Sequence, residues 1–229
     1  MSTEMRTGKR AALACGAVAG PLFVVVGLAQ AFTREGFDLR HHTLSLLANG
    51  HLGWIQVLNF ILSGVLYVAG AVGMRRAMPT GPASRWAPRL IGAFGVCMIG
   101  SGVFRADPSL GFPPGTPAGK PATISWHSGL HYTFATLAFV ALVPAFIVLA
   151  RRFAADNQPG WATATRALAV VLAVATLAIS GAADKPPVNV FFVATALVSF
   201  LWASVLAAHL QTSPSPGTLS ERAPTRPSR

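Results

Sequence analysis

Acidic residues are scarce in this chain. It holds seven Asp and Glu in 229 residues, against eighteen Lys and Arg. No long apolar run carries one at its centre, which counts against a proton- or ion-coupled transporter, because such machines hold carboxylates at mid-membrane depth. Charge of either sign is sparse: 11 % of residues, where soluble domains carry about 25 %, against 52 % apolar. A soluble fold of this length cannot hide that much apolar surface. Cysteine is also rare. Cys15 and Cys97 both fall in apolar runs without zinc-ligand spacing, so a disulfide framework and a thiolate zinc module are excluded and both read as buried free thiols. No internal repeat or second domain is legible.

What is present is length in apolar runs. Six segments, 11–32, 52–74, 88–106, 128–150, 167–183 and 186–208, read as transmembrane helices. Four of them hold about 20 uncharged residues, enough to cross a hydrocarbon core of about 30 Å. The expected fold is an all-α integral membrane bundle of six helices. A basic N-terminus (1–10) precedes the membrane domain (11–210), and a Pro/Ser/Thr/Arg-rich tail (211–229) reads as disordered. The first run imitates a signal peptide, with Ala29-Gln30-Ala31 as a cleavage-like site, but it is long for a signal core. Gly16 and Gly20 are spaced as a helix-packing face, with Ala69 and Gly73 as the expected partners in the second span, so we read a retained helix. Pro21 and Pro144 lie inside expected helices.

The net charge of +11 raises the question of nucleic acid, and the placement of the charges answers it. Thirteen of the eighteen basic residues fall at the termini, in 75–87 with Arg89, and in 151–166; the other five are Arg34, Arg40, Arg105, Lys120 and Lys185. This is the positive-inside pattern of a multi-pass plasma-membrane protein, with both termini cytoplasmic and loops 33–51 and 107–127 outside. The expected partners are membrane lipids, not nucleic acid.

Those two outer loops hold the chemistry. Five of six histidines, His41, His42, His51, His127 and His131, lie in or beside them. From Asp38, the first loop reads as a short amphipathic helix with Asp38, His42, Ser45 and Asn49 on one stripe. Two readings stay open: an interfacial helix lying on lipid, or a polar stripe turned inward over the mouth of the bundle. His127 and His131, four apart as the fourth span begins, share a helix face and have the spacing of a metal pair. Zinc held there needs a third ligand from Asp107, His41 or His42, and an open position for water. The alternative is that both histidines bond loop carbonyls or headgroups. Inside the second span, Gln56, Asn59, Ser63 and Tyr67 form a polar line, read first as interhelical hydrogen bonding.

These residues resemble the "domain of unknown function 998" family of bacterial membrane proteins. The resemblance rests on His42-Thr43-Leu44-Ser45-Leu46-Leu47, on Trp54 with Asn59-Phe60, on Gly102-Val103-Phe104-Arg105-Ala106-Asp107, and on His127 with His131, and it covers roughly 10–210. It implies a multi-pass bundle and no established activity. The family's Ser-Glu-Leu pattern has Leu46 where the acidic residue stands, so any role needing a carboxylate there is lost. The chain is also similar, in ingredients and not in order, to membrane hydrolases of the alkaline-ceramidase type, which combine serine, aspartate and an H-x-x-x-H pair around zinc. That likeness frames a hydrolytic expectation: His127, His131 and His41 on zinc, Ser45 and Asp107 in catalysis, and Arg105, Asn59 and His42 on a lipid substrate. A non-catalytic bundle that binds lipid or a protein partner explains the same polarity.

Overall fold

The computed structural model describes residues 3–78, 80–182 and 185–212. Of the expected tail 211–229, Gln211 and Thr212 are still helical and 213–229 lie outside the described residues, as does Asp184, expected to pair with Lys185. Among the described residues there are six α-helices: α1 (Thr3–Thr33), α2 (Gly53–Ala77), α3 (Pro82–Val103), α4 (Trp126–Ala155), α5 (Pro159–Ala182) and α6 (Pro186–Thr212). All six are long and apolar enough to cross a membrane. Each packs on its chain neighbours, and α6 returns to α1, so the six close into a ring. The α5–α6 seam is the sparsest of these contacts. The fifth span is longer than its charge-free stretch suggests, because α5 starts at Pro159 and carries Arg166 within its first turns.

The bundle is apolar outside and partly polar inside, as a lipid solvent requires. Val25, Phe32, Leu62, Val96 and Leu177 are exposed, whereas Gln56, Ser63, Thr165 and Ser199 are fully buried. Small residues let the backbones approach. A Cβ on Gly64 would lie 2.6 Å from Gly95 O, and one on Gly95 as close to Gly64 O. Gly16 and Gly20 do form a packing face, but it serves two neighbours: Gly16 meets Gly70 of α2 and Ala207 of α6, and Gly20 meets Phe200 of α6. Ser204 of α6 enters the α1 backbone there. Its Oγ accepts from Gly20 N (2.8 Å) and donates to Gly16 O (2.7 Å). This splice lies one residue before Pro21, whose ring supplies no N–H to the helix ladder.

The α2 polar line is interhelical. Gln30 Nε2 donates to Gln56 Oε1 (2.8 Å), Asn59 Nδ2 donates to Phe23 O (3.1 Å), and the Tyr67 hydroxyl donates to Phe200 O (2.7 Å). Cys15 and Cys97 are free, and half-buried where full burial was expected. At the other end of the bundle, His209 bonds Gln158 and stacks on Trp161, pinning the α4–α5 turn to α6.

The first loop corrects the helix expected from Asp38. Its chain runs through a turn at 39–41 into a single 3-10 helix, η1 (Leu44–Ala48). Leu44, Leu46, Leu47 and Ala48 are buried there. An interfacial helix would leave its apolar side to lipid; this one drives its leucines into the bundle end.

Candidate functional site

Loops 34–52 and 104–125 fold together as a lid over one end of the ring. Phe112 is its centre, fully buried, with the Phe37 ring edge-on at 5.1 Å, His42 at 5.6 Å and the Arg34 guanidinium over its face at 4.9 Å. Arg34 also donates to Leu47 O and Asn49 O, which ties η1 down; burial pushes its pKa below the ordinary arginine value. Asn49 Nδ2 donates to Leu46 O and to Ala106 O, joining the two loops. Asn189 Nδ2 of α6 donates to Leu39 O (3.0 Å) and fastens the lid to the ring.

His42 is a pin in this lid. It is buried, its Nδ1 accepts from Asp38 N (2.9 Å), and its Nε2 faces Leu110 O (2.9 Å). A carbonyl only accepts, so the proton sits on Nε2, and both nitrogens are in use. Asp38 spans neighbours too. The Arg40 guanidinium and backbone N–H, with His41, hold its carboxyl well below the usual carboxylate range. Asp107 fixes the start of α4. Burial alone would raise its pKa, but the Ser125 hydroxyl (2.6 Å), the Ser125 N–H (2.8 Å) and Ser128 outweigh that and lower it. Ser125 in turn caps the helix by accepting from Ser128 N.

Below the lid lies a cavity of about 590 Å³, within the range of small-molecule sites. Its floor is aromatic: Phe23, Phe60, Phe139 and Phe200 line it, with Phe23 and Phe200 edge to face at 5.0 Å. Towards the lid, polar side chains join the wall from both loops and from α3 to α6, among apolar ones such as Leu44, Leu46, Leu110 and Ile124. Ser45 and His41 line it from the first loop, Ser109 and Lys120 from the second, Ser101 from α3, His131 and Tyr132 from α4, Ser180 from α5 and Asn189 from α6. Among the described residues, no Asp or Glu lines it. His131 is buried, and its Nδ1 lies 2.9 Å from both Ser101 O and Phe104 O. These are carbonyls at the end of α3, where the helix ladder runs out of donors. They hold the proton on Nδ1, and Nε2 keeps its lone pair with no hydrogen-bond partner among the described residues. Ser101 Oγ and Asn189 Oδ1 are buried without a partner on the same walls.

The residues expected to form the site divide. Ser45, His41 and His131 line the cavity; Asp107, Arg105, Asn59, His42 and His127 do not. Asn59 is spent on the α1–α2 network, and Arg105 is exposed. The expected zinc set is not assembled. His127 is exposed and lies on the Trp126 ring at 3.5 Å, while His131 turns into the bundle and His41 pairs with Asp38. Among the described residues, no three His, Cys, Asp or Glu side chains come together as metal ligands. The donor set does not fit zinc, and no chemical step follows through one.

The model of the family described as "Protein of unknown function (DUF998)" matches residues 17–209. The chain belongs to this family. The matched stretch runs from α1 to α6 and takes in the whole lid and cavity. No curated protein and no solved structure matches the chain. Family membership therefore agrees with the multi-pass bundle and supplies no activity, and the reading of the site rests on its own geometry. Ser101, Ser109, Tyr132, Ser180 and Asn189 were missed in the sequence. Asn189 alone left a trace there, as an amide in the first turn of an otherwise apolar span.

Proposed function

We propose that this protein binds a membrane lipid, one molecule per chain, with the polar head under the lid and the acyl part on the aromatic floor. The carrying observation is the make-up of the cavity wall: polar side chains from α3 to α6 and from both loops gather towards the lid, among its Leu44, Leu46, Leu110 and Ile124, and phenylalanines line much of the rest. That order matches an amphiphile standing in a leaflet. The sparse α5–α6 seam is the side on which a chain can enter from the bilayer. The basic-residue count supports a lid on the extracytoplasmic face, in keeping with the reading of a bacterial plasma-membrane protein.

The test is retention of lipid. Full-length protein purified through detergent exchange should keep about one lipid per chain, counted by mass spectrometry of the extract. Ala196→Trp fills the cavity from α6, where Ala196 is part of the wall. It should lose the lipid while melting at or above the wild-type temperature. Equal lipid content in wild type and Ala196→Trp would refute the reading, and leave a bundle with a structural or partner-binding role.

A further inference from the structure

We infer that the occupant is a neutral lipid alcohol, such as a diacylglycerol, whose hydroxyl donates a hydrogen bond to His131 Nε2. This deepens the lipid-binding reading and rests on it. The argument is one of donors and acceptors. Nδ1 of His131 is committed to Ser101 O and Phe104 O, so the nitrogen that remains for a ligand is an acceptor. Asn189 on the same wall adds no donor: its Nδ2 is spent on Leu39 O, and its Oδ1 is enclosed without a partner. Ser101 Oγ, also unpartnered, can take either role. A wall whose open groups accept calls for a head that donates.

The charges narrow the class further. A doubly protonated His131 would place a cation in a cavity that, among the described residues, no carboxylate lines. The same lack disfavours an ammonium head. A phosphate head needs several N–H donors, and among the described residues the lining holds one lysine or arginine, Lys120, on an exposed stretch of the second loop and already engaged. A hydroxyl on an uncharged glycerol is the donor that remains.

The experiment uses full-length protein in nanodiscs of phosphatidylcholine, whose head has no hydrogen-bond donor. Binding of labelled 1,2-dioctanoylglycerol is competed with three chain-matched lipids: its 3-O-methyl ether, dioctanoyl phosphatidic acid and dioctanoyl phosphatidylglycerol. The ether keeps every atom of the head except the donating hydrogen. It should bind roughly tenfold or more weakly, the loss of one hydrogen bond to a buried acceptor, and phosphatidic acid should also compete poorly. His131→Phe should flatten the ether difference. Because that variant also loses the tie to α3, Asp107→Asn, which loosens the start of α4 from outside the cavity wall, provides a second arm with the His131 contact intact and the preference kept. Equal binding of the alcohol and its ether, or tighter binding of phosphatidic acid, overturns the inference while the lipid site stands. Failure of all four to bind, together with no effect of Ala196→Trp, overturns the lipid site itself.

Discussion

His42→Ala separates a structural pin from a ligand. The side chain is buried and makes two hydrogen bonds that join Asp38 of the first loop to Leu110 of the second. Its ring also lies against Phe37 at 5.2 Å and Phe112 at 5.6 Å. Removing it strands one N–H and one carbonyl. Both belong to half-buried residues, so each costs near the low end of the range, about 1 kcal/mol. The lost ring contacts and the space left behind add about 1–2 kcal/mol more. The lid should therefore open about 3–4 kcal/mol more easily, which is a rise in the open population of roughly a hundredfold or more. Leu47, fully buried on the inner side of the lid, reports the opening. In a background with Cys15 and Cys97 replaced, Leu47→Cys should react with a soluble maleimide far faster when His42 is alanine. The bundle itself should hold, because the ring helices pack without His42. A labelling rate within threefold of the parent would refute the pin, and would return His42 to the ligand-binding role expected from the sequence.

Three further outcomes follow from other contacts. Gly20→Leu should lose about 2–4 kcal/mol of stability in detergent melts, because even a Cβ there lies 2.4 Å from Phe200 O and the Ser204 splice must open; unchanged melting would mean the α1–α6 crossing is not close. The depressed Asp38 and Asp107 carboxyls stabilise the lid only while ionised. That contribution is full above the unfolded value near pH 4 and is lost as pH falls towards the folded values, so lid opening read by Leu47→Cys should rise in acid, and Asp107→Asn should already be loosened at neutral pH with less further change in acid. For orientation, an impermeant thiol reagent added to intact cells should reach Ala118→Cys in the lid and miss Arg85→Cys at the start of α3, both being exposed positions; the reverse pattern would put the lid in the cytoplasm.

Much of the fold was legible because a bilayer makes few demands and enforces them strictly. Length and apolarity alone set the six helices, and the departures fall where composition is mixed. The α5 start at Pro159 was hidden by Arg166, which a helix end carries at little penalty near an interface. The helix expected over 38–49 failed for a different reason. Its polar residues are at helical spacing, yet His42 and Asn49 bond to the second loop and Asp38 to its own turn, so tertiary partners replaced the helical stripe. Spacing within one segment contains no information about a partner seventy residues away.

The same limit explains the site. His127 and His131 stand four apart, which places them about 40° apart around a helix axis. That suffices for a shared ligand only if the whole stripe faces inward. Here α3 ends beside the second residue and not the first: the carbonyls of Ser101 and Phe104 draw His131 into the bundle, while His127, one turn earlier, has passed beyond the packed surface and rests on Trp126. One histidine thus becomes the cap of a neighbouring helix, and that capping is what leaves its other nitrogen open to the cavity. The residues beside it on the wall, Ser101, Ser180 and Asn189, come from three further helices. Each is an isolated polar side chain in an apolar run, of the kind that usually bonds its own backbone, as Ser199 does to Thr195 O. Ser101 Oγ and Asn189 Oδ1 do not, a lack of partners visible only once the helices are assembled, and beside them the uncommitted nitrogen of His131 is the feature that points to a ligand.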